Sequence, residues 1–464
     1  MDFNEGFDNL VKSPHGFTSD LKFPPYEKIK IFDTTLRDGE QCPGVAFSPV
    51  QKLEIAKALD DIGVHIIDIG FPAASKSDEK AFELIYNAKK NGEIKKSTEL
   101  LVTARAKKED VDYVFKVLLE NAAHPSDVTF FVFTSGSDLQ VKYKIGRMLL
   151  KKEGMSESLL EKTPVDFFRK ANIRMLVEII SFLKGRGVEN IEAGCAEDGS
   201  RADVDYIVEM SKAAVDAGAI RIAFADTVGV MTPQSSAHYF SRIRDAIGDV
   251  PLVAHCHDDF DLATINTITA LGNGATVATC TVNGIGERAG NASLHSVLGA
   301  LWALYGIKIP NFKYEKLNSL SEMVENFSGV PLNINQPVVG RNVYTHESGI
   351  HSAAQTIDPR MYQHMNPDEF GGLSRFIFGK HSGRNAVKHV LDKNSAEFEK
   401  YDIKIDDDLV NRVVKMVKAI REKNQQDKSS ETIITRYYKV MDMLGINEEK
   451  LVELAVLIGH RRGW

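Results

Sequence analysis

The chain has 464 residues, of which 43% are hydrophobic, so it can bury a large core and is too long for one ordinary domain. Its 57 basic and 64 acidic residues give a formal net charge of −7, which argues against the basic surface that nucleic-acid binding requires. No apolar run reaches the roughly 18 residues of a membrane helix, and the four cysteines lack the CxxC spacing of a zinc ribbon.

Residues 1–27 are predicted to form a polar N-terminal extension that carries Asp2, Glu5 and Asp8. A secretory signal needs an apolar core, and an organellar transit peptide avoids acidic residues, so neither is expected here. Together with the scattered cysteines, this indicates a cytoplasmic protein in a reducing compartment. We expect its partners to be small molecules rather than nucleic acid or a membrane.

Eight short β-rich runs follow up to about residue 290, and longer helical patterns separate them. Several runs are almost continuously apolar, as in parallel strands that are covered on both faces. Ser48-Pro49 and Thr232-Pro233 each predict a helix N-cap followed by a first-turn proline. In chain order the runs are KIKIFDTTL, VHIIDIGFP, ELLVTARA, DVTFFVFTS, ENIEAGCAE, IRIAFADTV, PLVAHCHDD and TVATCTVNGI.

The number and order of these units predict an α/β fold, a closed (β/α)8 TIM barrel over residues 28–310. An open doubly wound sheet is the alternative. Closure is favoured because polar residues end nearly every strand, whereas an open sheet concentrates them at its switch point. The polar strand ends are Arg37-Asp38, Arg105, Thr134-Ser135, Glu197-Asp198, Asp226-Thr227 and His255-x-His257.

A smaller α-rich C-terminal region is predicted after residue 310. Residues 311–400 form a linker subdomain with the motifs HESGIH and FGKHSGR. Residues 401–464 form a charged helical subdomain, in which an apolar face from Leu409 to Ile420 could pack within the chain or against a second subunit. No long regulatory domain is expected after it.

One carboxylate, two imidazoles and one amide oxygen offer a set of protein ligands for a divalent metal. His255 and His257 point to the same side of their strand because side chains alternate along it. In a closed barrel the first strand neighbours the eighth, and the histidine strand lies on the other side of the eighth. We therefore predict that Asp38, His255, His257 and Asn291 meet at one end of the barrel; the alternative is a pair of satisfied core histidines.

Arg37 precedes Asp38, and its guanidinium could stabilise negative charge that develops on a substrate oxygen. Alternatively, Arg37 forms an ion pair with a barrel carboxylate such as Glu197 or Asp226.

Two further stretches carry candidate functional residues. GIGERAG has the spacing G-x-G-x-x-x-G, one residue too long for a dinucleotide fingerprint, and is interpreted as a tight loop that brings Asn291 toward the metal. In the C-terminal region, His346, Glu347, His351 and Tyr362 include groups suited to proton transfer. Taken alone, such residues are more often surface or packing residues.

The motifs DTTLRDGEQ, HCHDD and NGIGERAGNASL resemble the signature stretches of the DRE-TIM metallolyase superfamily. HESGIH and FGKHSG narrow the resemblance to its Claisen-condensing branch, the 2-isopropylmalate, homocitrate and citramalate synthases. The resemblance covers about residues 28–400, and DIGFPAAS and Asn283 look most like 2-isopropylmalate synthase. The resemblance implies a divalent metal, which would be magnesium, manganese or zinc. It also implies condensation of acetyl-CoA with a 2-keto acid. The expected acceptor is 2-ketoisovalerate, which is used in leucine biosynthesis.

The resemblance also implies roles for residues at matching motif positions. Two of these residues come from the C-terminal region and in this family reach the barrel of the partner subunit, so a homodimer is expected. The implied metal ligands are Asp38, His255, His257 and Asn291. Arg37 would polarise the ketone, and Thr227 and the catalytic Glu197 would contact the keto acid. His351 and Tyr362 would transfer protons.

Three positions depart from the family pattern. Cys195-Ala196 stands where Ser-Pro is common, Thr129 stands where isopropylmalate synthases often have His, and Asp258 stands where Asn is frequent. The first two leave 2-oxoglutarate (homocitrate synthase) and pyruvate (citramalate synthase) as alternative acceptors. A hydroxyacyl-CoA lyase is less favoured, because GIGERAG lacks the cysteine of the lyase loop. The intact metal motifs argue against an inactive binding barrel.

Overall fold

The computed structural model describes residues 21–363, 365–379, 381–400 and 402–424. The described residues divide into two compact units, a larger one of residues 21–313 and 319–331 and a smaller one of residues 314–318 and of those described between 332 and 424. Most of the predicted N-terminal extension and the second half of the predicted helical subdomain lie outside the described residues.

The larger unit contains a closed barrel of eight parallel strands in the order β1 to β8. The last strand pairs with the first in a register that runs from Lys30 opposite Val277 to Asp33 opposite Cys280. The predicted TIM barrel is therefore confirmed, and the open sheet was the wrong alternative. The strands are β1 Lys30–Asp33, β2 Ile66–Asp68, β3 Glu99–Arg105, β4 Thr129–Ser135, β5 Ile191–Glu197, β6 Arg221–Asp226, β7 Leu252–Cys256 and β8 Val277–Cys280.

Helices connect the strands, and the predicted capping signals begin two of them. Ser48 accepts the backbone N–H of Gln51, whose side chain accepts from Ser48 in return, and Thr232 accepts from Ser235. A π-helical segment, Val141–Gly146, joins α4 to α5. The helices are α1 Pro49–Ile62, α2 Lys76–Lys90, α3 Lys108–Glu120, α4 Asp138–Gln140, α5 Arg147–Lys152, α6 Leu159–Lys162, α7 Val165–Gly185, α8 Val204–Asp216, α9 Pro233–Ile247, α10 Ala263–Leu271, α11 Leu294–Tyr305 and α12 Leu317–Ser328.

The barrel interior is filled by apolar side chains above a layer of paired charges. At the amino ends of the strands, the buried Arg221 donates to Glu99 (Nη2–Oε1 2.6 Å) and to Glu192. Thr129 donates to the same Glu99 oxygen at 2.6 Å. This pairing compensates for the burial of the charges. The apolar cluster comprises Phe32, Ile66, Leu101, Ala223, Val253 and Val277.

The smaller unit is α-rich, as predicted, with one short parallel sheet formed by β9 and β10. On the helix Asp407–Asn424, Val410 is buried whereas Ile420 is 50% exposed, so the predicted apolar face is only partly covered. Its elements are β9 Thr345–His346, α13 Gly349–Ile357, β10 Arg375–Phe376, α14 Arg384–Lys393, α15 Ser395–Glu399 and α16 Asp407–Asn424.

The described part of the chain contains neither a membrane-spanning helix nor a disulfide. None of its helices combines the length and apolar character needed to cross a bilayer. All four cysteines are free thiols, and three of them are buried.

Candidate active site

A cavity of about 350 Å³ lies at the carboxyl ends of the barrel strands, where barrel enzymes place their active sites. Several predicted strand-end residues line it, but three others form hydrogen bonds with loop N–H groups or with side chains outside the cavity. Thr134 donates to Asn172 on α7, Asp226 accepts two loop N–H groups, and Asp198 bonds to Ser137 and Arg201. The predicted residues that do line the cavity are Arg37, Asp38, Arg105, Glu197, Thr227, His255 and His257.

Asp38, His255 and His257 converge at this cavity, with one ligand atom from each lying within 4.8 Å of the others. The two Nε2 atoms are 3.3 Å apart, and the Nε2 of His255 is 3.4 Å from the Oδ2 of Asp38. Burial and the neighbouring His255 lower the pKa of His257 to about 4, so its imidazole is neutral at pH 7. Burial alone would raise the pKa of Asp38, but Arg37 and the histidines outweigh it and hold that pKa well below its usual value.

Asn291 lies next to Asp38, as the sequence predicted, although it does not line the cavity. Its Nδ2 donates to the Oδ1 of Asp38 at 3.1 Å, and its buried Oδ1 has no hydrogen-bond partner among the described residues. The glycine-rich run forms the expected tight loop. A Cβ on Gly286 would lie 2.2 Å from the amide nitrogen of Asn291, and Gly290 has φ +92° with no room for a Cβ beside the carbonyl of Gly284. The glycines thus let the loop close around Asn291.

Arg37 is held by two carboxylates, but not by those suggested from the sequence. Its Nε donates to Asp68 and its Nη1 to Asp38, both at 2.7 Å. The suggested partners Glu197 and Asp226 were therefore wrong. Asp68 ends β2 and is fully buried, so its carboxylate reaches Arg37 inside the barrel. Burial opposes the charge on Arg37, but Asp68 and Asp38 raise its pKa above the usual value.

Glu197 reaches the cavity because β5 departs from regular pairing. Phe133 on β4 pairs with Gly194 on β5, but Ser135, two residues further on, pairs with Glu197, three residues further on. The register therefore slips by one residue at this point. As a result, the consecutive residues Ala196 and Glu197 both line the cavity, which regular alternation would not allow.

The departure Cys195-Ala196 lies at this slip, and only its second residue faces the cavity. Cys195 is fully buried beside Ser211, and burial raises the pKa of its thiol to about 12. The second departure, Thr129, starts β4 at the opposite end of the strand, where it bonds to Glu99 and does not line the cavity. Of these two positions, only Ala196 can contact a ligand in the cavity.

Aromatic side chains form one wall of the cavity. The rings of Phe131 and Phe133 stack with centroids 5.7 Å apart, and Phe71 lines the cavity beside Arg105. The guanidinium of Arg105 lies 5.7 Å from the Phe71 ring centroid and is bonded to both oxygens of Asp110, at 2.6 and 2.9 Å. This wall is therefore apolar, and its nearby cation is paired.

In the smaller unit, His351 and Tyr362 lie together. Their rings stack with centroids 4.1 Å apart and 23° between planes, and the His346 ring centroid is 6.4 Å from that of His351. The motifs HESGIH and FGKHSG also meet there, since the N–H of Gly349 donates to the carbonyl of His381 at 2.9 Å. The structure thus brings the proton-transfer candidates of this unit together.

Sequence reasoning missed several polar residues that bond to cavity residues, among them Asp68, Asp110 and Lys144. Asp68 carried a usable signal, because it ends an apolar strand run as Asp33 and Asp226 do. Asp110 and Lys144 carried none, since each is one of several charged residues on a helical surface. Lys144 forms an ion pair with Glu197, and Asp110 bonds to Arg105.

Comparison with known proteins agrees with the motifs. Residues 28–324 match the HMGL-like family, and residues 338–425 match the homocitrate synthase post-HMGL domain-like family. The chain is 37% identical over 441 residues to a probable 2-isopropylmalate synthase of Methanopyrus kandleri, covering 94% of this chain and 78% of that protein. It is 38% identical over 395 residues to the homocitrate synthase AksA of the same organism, covering 85% and 88%.

Among solved structures, a hydroxymethylglutaryl-CoA lyase from Pseudomonas aeruginosa superposes with a TM-score of 0.51 and 17% identity, covering 68% of this chain and 96% of that one. At this identity the likeness concerns the fold alone. The sequence matches confirm the synthase resemblance. The chain therefore belongs to the HMGL-like family, as an enzyme that transfers an acyl group.

Proposed function

We propose that this enzyme condenses acetyl-CoA with a 2-keto acid and releases CoA, with a divalent cation held by Asp38, His255, His257 and Asn291. The supporting observation is the convergence of three ligand atoms within 4.8 Å at the cavity, together with the unpartnered Oδ1 of Asn291, whose amide nitrogen bonds to Asp38. Buried polar atoms normally have partners, so an unpartnered oxygen at this point fits a bound cation.

The donor set suits a magnesium, manganese or zinc ion. Two imidazoles, one carboxylate and one amide oxygen combine nitrogen and oxygen ligands. The Nε2 of His255 lies 3.3 Å from the Nε2 of His257 and 3.4 Å from the Oδ2 of Asp38, so these side chains would hold one cation between them. When bound, such a cation supplies Lewis-acid polarisation of the keto acid's carbonyl group.

Arg37 would stabilise the alkoxide that forms on the keto oxygen. A guanidinium has five N–H groups, and Arg37 uses one on Asp68 and one on Asp38, so three remain for the substrate. Because both carboxylates fix the guanidinium before the substrate arrives, it need not reorganise during the reaction.

The remaining polar groups would position the acceptor and move the protons. Thr227 accepts the backbone N–H of Asp198 at 2.8 Å, which leaves its hydroxyl hydrogen to donate to the keto acid. Glu197 would lie on the other side of the acceptor. His351 and Tyr362 would take a methyl proton from the acetyl thioester, and the enolate carbon would bond to the keto carbon. The alkoxide that forms would take up the proton, and one water would hydrolyse the thioester to a carboxylic acid and free CoA.

For the acceptor we favour 2-ketoisovalerate, which would make the product 2-isopropylmalate, an intermediate of leucine biosynthesis. The apolar wall of Phe71, Phe131 and Phe133 suits an isopropyl group. A distal carboxylate, as in 2-oxoglutarate, would need a cation to compensate its burial. Apart from Arg37, whose remaining N–H groups are assigned to the keto oxygen, the described cavity lining has two arginines, and each forms an ion pair: Arg105 with Asp110 and Arg288 with Asp259. Homocitrate and citramalate synthesis remain as the alternatives.

The proposal includes a homodimer in which His351 and Tyr362 of each chain would reach the barrel of the partner subunit, and a cytoplasmic location. The oligomeric state would be measured by sedimentation equilibrium. Mixing a His351→Ala chain with a His257→Ala chain should restore activity, because one site of the mixed dimer would then contain both intact residues. No restoration would contradict the shared site.

A thiol-release assay tests the reaction itself. Purified protein should release free thiol from acetyl-CoA only when a divalent cation and a keto acid are both present, and chelation should stop the release. Across 2-ketoisovalerate, 2-oxoglutarate and pyruvate, the highest kcat/KM should belong to 2-ketoisovalerate. Turnover with none of these acceptors would refute the synthase proposal, and a preference for 2-oxoglutarate would refute the assignment of the acceptor.

A further inference from the structure

The helix that follows β4 changes from α to π geometry at Val141–Gly146, beside the cavity. A π turn inserts one extra residue into a helix, and such turns are frequent at functional sites. Here the turn is fixed by packing, because Val141 and Ile145 are buried and a Cβ on Gly146 would lie 3.0 Å from the ring of Phe168. The direction of its polar side chains is therefore set by the fold.

The polar side chains of this turn divide between two acidic partners. Lys142 and Tyr143 both donate to Glu161, at 2.7 and 2.8 Å. Lys144 instead forms an ion pair with the Oε2 atom of Glu197 at the cavity. Residues two apart on a helix point in different directions, so Lys142 and Lys144 provide a matched pair of lysines with different roles.

Glu197 is held at two further points by the end of β4. The hydroxyl of Ser135 donates to the same Oε2 atom at 3.0 Å, and the N–H of Gly136 donates to the backbone carbonyl of Glu197 at 2.6 Å. Both side-chain bonds go to Oε2, which leaves Oε1 available to a ligand in the cavity.

We propose that Lys144 is a positioning residue that fixes the carboxylate of Glu197 for the condensation, an inference that rests on the proposed function. The Lys144 side chain is 54% exposed and that of Glu197 is 26% exposed. Exposed ion pairs contribute little to stability, so the main effect of this pair is on the orientation of Glu197. Without Lys144, only Ser135 holds the carboxylate, and Glu197 can rotate away from the acceptor.

Lys144→Met, Lys144→Arg and Lys142→Met test this role by steady-state kinetics. We expect Lys144→Met to lower kcat on the order of tenfold to a hundredfold while the KM for the keto acid changes less than about twofold. Lys144→Arg should recover most of the lost kcat, because it keeps a cation at the same place. Lys142→Met should match the parent enzyme. An unchanged kcat in Lys144→Met, or an equal loss in Lys142→Met, would overturn the proposal.

Two further measurements separate this inference from the proposed function. In a Glu197→Gln background, Lys144→Met should cause no additional loss, whereas an undiminished loss would show that Lys144 acts independently. Crystal structures of Lys144→Met and Lys142→Met require no turnover and should show a changed Glu197 side chain only in the first. An unchanged Glu197 would overturn the proposal even if no keto acid were turned over, while absent turnover alone would refute only the proposed function.

Discussion

Gly194 on β5 makes room for the aromatic wall, and replacing it by alanine should disturb that wall. A Cβ at this position would lie 2.5 Å from the Cβ of Phe133 and 2.9 Å from two ring carbons of Phe131. Ordinary carbon–carbon contacts are about 3.5–4.0 Å, so Phe133 must move by about 1 Å. Overpacking of this kind costs about 1–3 kcal/mol. Gly194→Ala should therefore be less stable than the parent and should bind the keto acid more weakly.

Two measurements check this expectation, and Gly185→Ala serves as the control. Gly185 ends α7 with open space around it, so alanine there should be neutral or slightly stabilising. We expect the denaturant midpoint of Gly194→Ala to fall and its KM for the keto acid to rise, with neither change in Gly185→Ala. In a Phe131→Ala background, which lacks the ring that the new Cβ would meet, Gly194→Ala should cost less stability than it does in the parent. If Gly194→Ala matched the parent in both measurements, the steric argument for the wall would be wrong.

Four other substitutions should have distinct outcomes. His257→Ala should lose manganese binding in titration calorimetry and should lose metal-dependent thiol release, while its circular dichroism spectrum stays unchanged. Substitution of the exposed His238 should change neither manganese binding nor thiol release. Full activity in His257→Ala would show that His257 is not part of the site. Asp68→Asn should lower kcat on the order of a hundredfold because Arg37 loses a buried charged partner, and a kcat within twofold of the parent would argue against this role. His351→Ala should keep keto-acid binding but lose condensation, and unchanged turnover would leave it only a structural role. Burial lowers the pKa of His295 from 6.5 to about 3, so on acidification the unfolded chain takes up this proton before the folded chain does. The stability that the neutral His295 contributes above pH 6.5 is therefore lost as the pH falls from 6.5 toward 3. His295→Asn should flatten this part of the curve of unfolding free energy against pH, and parallel curves would contradict the assignment.

Much of the barrel could be predicted because its signals are local. Apolar runs and capping residues specify each strand and helix within about ten residues of sequence, and the eight runs all became strands. The meeting of Asp38, His255, His257 and Asn291 followed from one further assumption, closure of the sheet, because the carboxyl ends of all strands then surround one space. The family motifs agreed with that geometry independently.

The partners of these residues could not be predicted, because they depend on contacts between elements distant in the chain. Arg37 was expected to pair with Glu197 or Asp226 if it formed an ion pair, yet Asp68 is the carboxylate that lies next to it once β1 and β2 are adjacent. Likewise, Lys144 resembles any surface lysine until the π turn directs it to Glu197.

The sequence by itself determined the barrel, the candidate metal ligands and the family, since each depends on residue type and spacing along the chain. Only the tertiary structure decided which residues form the wall of the cavity. The register slip on β5 brings Ala196 and Glu197 to the same side, and the missing side chain of Gly194 admits the two phenylalanines. Both effects arise from packing between neighbouring strands, which adjusts by single residues and fractions of an ångström and leaves no periodic trace in the sequence.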